Sequence, residues 1–322
     1  MVAGATGVTD IDVAIVAYRR WDLTRSCLAH LQAQTVPHRI QLCDNGCDEH
    51  TTERVRSEFP EITVVTLERN MPYPVACNAA VAAGNGDLVV MMNNDVDARP
   101  DFLERLCAPL VADDRLGSAA SVLLAPGETR IDSVGLVADR TLAAFPRLHG
   151  RPSQAAGRER PLLSGPAGAA AAFRRAAWQS VGGLDERIPA YLEDLDLALR
   201  LRAAHWQTTV AEDAVAVHIG GATFGRRSAD QRRRAGYARG YLLCRYGVLR
   251  TPGAPRTIAT ELLVCAGDLA ISRDLAATRG RLAGWRGARG LTRRRWPPAE
   301  AIDPKLSLSE SIALRRASYA DA

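Results

Sequence analysis

Residues 87–100 read DLVVMMNNDVDARP. The run is apolar from Leu88 to Met92 and turns abruptly polar at Asn93, which predicts a buried fourth strand ending in amides and acids. Outward from it, IDVAIVAY (11–18), RIQLCDNG (39–46) and ITVVTLE (62–68) read as three earlier strands. Helical patterns separate them. In DLTRSCLAHLQAQ (22–34), Leu23, Cys27, Leu28 and Leu31 share one face, with Asp22 as the expected N-cap. Further helices are expected from Glu49 to Glu58, within NMPYPVACNAAVAAG (70–84) after a Pro-constrained loop, and over 101–112. This alternation predicts an α/β fold: one open, twisted, mostly parallel, Rossmann-like sheet flanked by helices.

Beyond 113 the pattern weakens, and irregular structure with edge strands is expected to 165, including ASVLLA (120–125) and SVGLVAD (133–139). LLSGPAGAAAAFRRAAW (162–178) is rich in Gly and Ala, which suits close backbone approach to a ligand and close packing equally. A helix over 193–204 and a strand, TTVAEDAVAVHIGG (208–221), follow.

A chain of 322 residues that is 47% hydrophobic can bury a sizeable core, which excludes a disordered chain. Its net charge of +5 conceals an asymmetry. Up to residue 221 there are 21 basic and 28 acidic side chains, a balance of −7; beyond it 20 stand against 8, a balance of +12. Lys305 is the only lysine, so the basic tail is arginine. The seven cysteines are odd in number and scattered, which fits a reducing cytoplasm better than a disulfide framework. Cys43 and Cys47 lack the second pair that a zinc site needs. No stretch reads as a signal peptide or membrane span. The GATG at Gly4 to Gly7 precedes the first strand, so it cannot cradle a phosphate as a glycine loop does after one, and no GxxxxGK[ST] loop exists.

Ligands of open α/β sheets bind beyond the carboxyl ends of the strands. Those ends carry Asp44, Asn45, Asn70, Asn93, Asn94, Asp95 and Asp97. Each alone is an ordinary turn former, but together they suggest metal-assisted phosphate binding. Asp95 and Asp97, two apart in extended geometry, would share a face and reach one divalent cation. YLEDLDLALRLR (191–202) places Glu193, Asp194 and Asp196 at a helix start, where acids suit the helix dipole and Asp196 pairs with Arg200; one acid there is also a candidate general base. His218, before Gly220 and Gly221, is either structural or a further ligand for a Mn²⁺-like ion.

From Asp12 to about Phe224 the chain resembles the inverting GT-A glycosyltransferases of family 2, especially the bacterial rhamnosyltransferase-like branch. The resemblance rests on VAIVAYRR, LCDNG, ERNMPYPVACNAAV, GDLVVMMNNDV, GPAGAAAAFRR, VGGLDERIPAYLEDLDLALRLRAA and VAVHIGG, in that order. It implies a GT-A domain over 1–224 and a basic, mainly helical extension over 225–322 on the acceptor side, at a membrane surface or in an oligomer contact. It also implies a hexosyltransferase-type enzyme that moves a sugar from a nucleoside-diphosphate donor, dTDP-rhamnose or a UDP-hexose, to a hydroxyl of a glycan, lipid-linked glycan or natural product. Asp44 matches the acid that binds the base, and Ala17, Tyr18, Asn70, Asn78, Asn93 and Asn94 fall at donor positions. Asp95 matches the metal-binding acid of the DXD-like motif, joined by Asp97 and His218 around Mg²⁺ or Mn²⁺. Asp194 matches the catalytic base, with Glu193 assisting and Arg200 orienting the helix. Two departures stand out: Asn93 at the first DXD position, and Met71-Pro72-Tyr73-Pro74 where a glycine usually follows Asn70.

In the tail, RRSADQRRRAGYARGYLLCRYGVLR and RGRLAGWRGARGLTRRRW interleave arginine with Tyr, Trp and Leu. That pattern fits either a basic amphipathic helix on an anionic membrane surface or a solvated arginine face. The expected location is the cytoplasm, including the inner face of the membrane, with residues 297–322 partly disordered. Two other readings remain: a nucleic-acid-binding protein that uses the tail, and a catalytically silent glycosyltransferase-like scaffold. The acidic main domain argues against nucleic acid as a partner.

Overall fold

The computed structural model describes residues 9–46, 50–159, 161–220 and 228–320. Gly4 to Gly7, Cys47, Glu49, Gly221 and the expected 224/225 boundary lie outside them. The sheet begins with β1 (Ile11–Ala17), β2 (Arg39–Asn45), β3 (Thr63–Leu67) and β4 (Leu88–Asn93), alternating with α1 (Trp21–Gln32), α2 (Thr51–Glu58) and α3 (Tyr73–Ala82). Both faces of β1 are covered, so all seven of its residues are buried and its sequence is a continuous apolar run broken only by Asp12. After β4 come β5 (Val96–Ala98), α4 (Phe102–Ala112), β6 (Leu116–Leu124) and the short β7 (Ile131–Ser133), β8 (Leu136–Ala138) and β9 (Ala144–Pro146). β10 (Ala170–Arg174), α5 (Arg175–Ser180), α6 (Glu193–Ala203) and β11 (Gln207–His218) complete the sheet region.

The strand order is β3-β2-β1-β4-β10-β6-β11-β5. β1 to β4 are parallel, and β10 runs antiparallel to both β4 and β6. Apolar side chains fill both faces: Leu28, Leu31, Phe102 and Leu106 pack on one, and Ala76, Cys77, Trp178 and Leu197 on the other. At the amino end of the sheet, the buried Asp12 accepts from Arg39 Nε (2.9 Å), Arg175 Nη2 (2.7 Å) and the Gly86 amide (2.5 Å).

Two expectations need correction. β6 lies in the interior, between β10 and β11, rather than at an edge. Its LGSAASVLL hides this, because Gly117 lets Trp206 approach so closely that a Cβ would lie 2.7 Å from it, while Ser121 satisfies its hydroxyl on the Ala170 carbonyl (2.8 Å). Asp22 is not the N-cap of α1: Arg20, in left-handed geometry, precedes the helix, and Asp22 sits in the first turn, paired with Arg20 at 2.7 Å.

The tail is helical, with α7 (Ala229–Arg245), α8 (Ala254–Ser272), α9 (Ala276–Ala288) and α10 (Leu308–Ala320). α7 and α9 touch backbone to backbone: a Cβ on Gly240 would stand 2.0 Å from the Arg281 carbonyl oxygen, and one on Gly284 1.9 Å from that of Tyr237. Gly236 and Gly280 make the same approach one turn earlier. Tyr241 and Leu242 of α7, with Tyr246 just past its end, join Leu195 and Leu199 of α6 in a third apolar cluster. Partial disorder of 297–322 is not what the described part shows: Ala301, Ile302 and Leu306 are buried, and Ser311 donates to Asp139 at 2.9 Å. Among the described residues no helix is long and apolar enough to cross a membrane.

Candidate active site

The carboxyl ends of β1, β2 and β4 lie side by side, with Ala17 opposite Asp44 and Val16 opposite Asn93. Asp44 is buried and accepts from the Thr52 hydroxyl at 2.6 Å. Its neighbour Asn45 ties down the proline-rich loop: its amide donates to Asn70 Oδ1 (3.1 Å) and the Met71 carbonyl (3.0 Å), and its Oδ1 accepts from the Met71 amide (2.9 Å). Asn70 is exposed, and Tyr18 carries the Arg19 guanidinium 5.1 Å above its ring. Asn93 Oδ1 accepts from the Tyr73 hydroxyl at 2.7 Å and its backbone N–H donates to the Ala169 carbonyl at 2.8 Å, while the Asn94 side-chain amide donates to the Thr24 hydroxyl at 2.8 Å. Asn78 is used differently. Its amide clamps α3 to the loop before α6, donating to the Leu184 carbonyl and Glu186 and accepting from the Leu184 amide, each at 3.0 Å.

α6 starts immediately after two residues in left-handed geometry, Tyr191 (φ 67°) and Leu192 (φ 60°). Side-chained residues rarely adopt it, and such strain concentrates at functional sites. It delivers Glu193 and Asp194 to the side of the sheet where β10 begins. Asp194 Oδ2 accepts from the Gly168 amide (3.0 Å) and Oδ1 from the Leu195 amide (2.7 Å). A Cβ on Gly168 would come within 3.3 Å of Asp194, and one on Gly165 within 2.2 Å of Ala198, so the GPAG glycines serve packing as well as the acid. Among the described residues neither Glu193 nor Asp194 has a cationic partner, and Glu193 Oε2 is buried without a hydrogen bond. Burial and the Asp194 charge push the Glu193 carboxyl up to about 8. Burial also raises Asp194, against the pull of its amide donors. Near neutral pH this arrangement favours a protonated Glu193 beside Asp194. Asp196 is different in kind. It is fully buried, paired with Arg200 (2.9 Å) and Arg294, and Arg200 ties the helix to the Val181 carbonyl at 2.7 Å.

His218 ends β11 between two acids, with Nδ1 2.8 Å from Asp132 and Nε2 3.4 Å from Asp95 Oδ1. Burial opposes its charge, but the two carboxylates outweigh it and lift the imidazole to about 10. Among the described residues, the buried Asp95 Oδ1 has no hydrogen-bond partner. With the Nε2 proton displaced, as metal binding requires, this donor set fits a divalent cation. An orphaned carboxylate oxygen faces an imidazole nitrogen whose other nitrogen is oriented by a carboxylate, as in carboxylate–histidine–metal triads. Among the described residues no three His, Cys, Asp or Glu side chains are grouped to hold an ion by themselves, so a donor diphosphate and water would supply the remaining ligands.

Asp97 does not join this site. A turn at Asn94 and Asp95 breaks the extended run, and β5 then pairs with β11 so that Val96 faces His218 and Val217 faces Asp97. Residues directly opposite share a face, so Asp97 lies on the other face from His218, where it meets Ser26 (2.9 Å) and His30 (3.3 Å). Sequence reasoning missed Asp132, whose link to His218 spans 86 residues, and Tyr73, which holds Asn93.

A mostly parallel sheet carrying acids and amides at its carboxyl ends, with an acid pair at a helix start beside them, defines a glycosyltransferase of the GT-A fold. Residues 9–238 match the family Glycosyltransferase like family 2, and the chain belongs to that family. It is 26% identical over 250 residues to the N-acetylglucosaminyl-diphospho-decaprenol L-rhamnosyltransferase of Mycobacterium tuberculosis, covering 69% of this chain and 80% of that one, in keeping with the rhamnosyltransferase-like branch. In fold it is similar to the mannosyltransferase PcManGT of Pyrobaculum calidifontis in complex with GDP-Man and Mn²⁺, with a TM-score of 0.55 and 16% identity over 97% of this chain and 87% of that one. It is also similar to GalNAc-T7 with UDP, GalNAc and Mn²⁺, with a TM-score of 0.55 and 13% identity over 81% of this chain and 55% of that one. Family membership decides for the enzyme over the nucleic-acid reading, and the matched region runs 14 residues past the boundary expected at 224.

Proposed function

We propose that the enzyme transfers a sugar, with inversion, from a nucleoside-diphosphate donor to a hydroxyl of a lipid-linked acceptor, and that dTDP-rhamnose is the donor. The observation that carries this reading is Asp194: a half-buried carboxylate without a cation among the described residues, held by two backbone amides at the mouth of the strand ends. The likeness to a rhamnosyltransferase acting on a diphospho-decaprenol-linked sugar supports the donor and acceptor.

The base of the donor lies by Asp44, and its sugar and diphosphate lie across Asn70, Asn93 and the end of β4. Asp95 and His218 would hold a Mg²⁺ or Mn²⁺ ion, with Asp132 orienting the imidazole. When bound, that ion supplies charge neutralisation on the departing diphosphate. Asp194 takes the proton of the acceptor hydroxyl while that oxygen bonds to the anomeric carbon. The carbon–oxygen bond to the diphosphate breaks on the opposite face, in one displacement. Glu193, kept protonated by burial and by its neighbour's charge, does not compete for the proton. The helical extension that begins with α7 closes the acceptor side.

A screen of nucleotide-sugars by thermal shift and donor hydrolysis, with and without Mn²⁺ or Mg²⁺, tests the reading. Stabilisation and turnover with dTDP-rhamnose that depend on the cation are expected. Equal turnover in EDTA, or no response to any donor, would overturn it.

A further inference from the structure

Tyr191 and Leu192, which deliver the acid pair, have a second side. With Arg232 and Arg239 of α7, Arg281 of α9 and Arg315 of α10, they line a cavity of about 160 Å³, well above the roughly 15 Å³ that one water requires. The charges around it do not balance. Arg239 and Arg281 share Glu261, each at 2.7 Å, and Arg232 pairs with Asp274. Arg315 packs its guanidinium 5.5 Å from the Phe145 ring centroid, and among the described residues its buried Nε and Nη2 have no hydrogen-bond partner. A guanidinium whose planar fork is buried and unmatched is costly, and the groups that match it best are bidentate oxyanions. The remaining acid in the lining, Asp268, has its carboxyl raised by burial, which weakens it as a counter-charge.

The location restricts the anion further. Leu192 lines the cavity and Asp194 is two residues away, at most about 7 Å between Cα atoms, a gap that a single sugar ring bridges. The donor diphosphate belongs at the strand ends, beside Asp95, so this cavity lies on the acceptor's side of the base. α8 then separates two environments. Glu261 and Asp268 point inward to the arginines, whereas Ile258, Leu262, Leu263 and Leu269 stand on the outer face, Leu262 67% exposed. At 100° per residue, Ile258, Leu262 and Leu269 fall within about 40° of one another, an apolar stripe with no charge in it. An arginine cavity under an apolar ridge matches an amphiphile in which a diphosphate joins a sugar to a hydrocarbon.

We propose that this cavity binds the diphosphate of the acceptor, with the hydrocarbon along the outer face of α8; the proposal rests on the transfer reading above. Two measurements test it. In calorimetry with inorganic pyrophosphate and EDTA, which removes the cation the donor site needs, the full chain should bind pyrophosphate. Arg315→Gln should weaken binding about tenfold or more, and Arg315→Lys should retain part of it. Binding equal in wild type, Arg315→Gln and Arg232→Gln would overturn the proposal and mark the anion as an adventitious ion only. In kinetics, the ratio of kcat/KM for a sugar on a short polyprenyl diphosphate to that for the same sugar as an alkyl glycoside should fall about tenfold in Arg315→Gln, through KM. An unchanged ratio would overturn the subsite while leaving glycosyl transfer standing. Absence of turnover with either acceptor would count against the transfer reading alone, because pyrophosphate binding is read without turnover.

Discussion

Buried acids sit at both ends of the sheet, and the chain treats them in opposite ways. At the amino end, burial alone would raise Asp12, but the Gly86 amide, Arg39 and Arg175 hold its carboxyl below the usual range. At the carboxyl end, Glu193 and Asp194 are raised, because amides without cations answer their burial. A buried acid answered by cations joins elements together. A buried acid left without one is poised to take a proton, and its instability is tolerated where the reaction needs it.

The largest expected effect breaks the active end. Asp194→Asn keeps the shape and removes the proposed base, so turnover with the accepted donor should fall about 10³-fold while nucleotide affinity by calorimetry stays near that of wild type. The same change at the other end should act on stability alone. Asp12→Asn leaves Arg175 buried against a neutral amide and should cost about 3 kcal/mol in a denaturant titration, with normal turnover per folded molecule. Between these, Asp95→Ala should weaken Mn²⁺-dependent nucleoside-diphosphate binding roughly 10- to 100-fold. Asp97→Ala, on the other face of β5, should change it less than about threefold, within the range of a partly exposed pair.

A further effect sharpens the comparison through pH. The folded-state value of Glu193, about 8, lies above its ordinary 4.5, so ionising the unfolded chain costs stability as pH rises through that window. Glu193→Gln should therefore gain melting temperature over wild type progressively from pH 5 to pH 8, and the gain should level off above that. A constant difference across the range would show that the pair is not strained by charge.

Much of this was legible in the sequence, and what was not has physical causes. β1 to β4 announce themselves because strands buried on both faces need unbroken apolar runs. β6 does not, since its burial is achieved by Gly117, Ser118, Ala119 and Ala120, whose small side chains carry little pattern. Asp44, Asp95, Asp194 and His218 stood out by position at element ends. Asp97 was misplaced because i, i+2 reasoning assumes a continuous strand, which the turn at Asn94 and Asp95 interrupts. Asp132 is a lone acid in a three-residue strand, and only the folded register brings it to a histidine 86 residues away.

The glycine seam between α7 and α9 limits how the tail can diverge. Adding one methyl at Gly236, Gly240, Gly280 or Gly284 drives it into the backbone of the facing helix, where no side chain can swing aside. No single substitution there is small. The joint that fixes Arg281 against the body of the enzyme is thus closed to gradual drift, whereas the exposed outer face of α8 can change residue by residue without disturbing that frame.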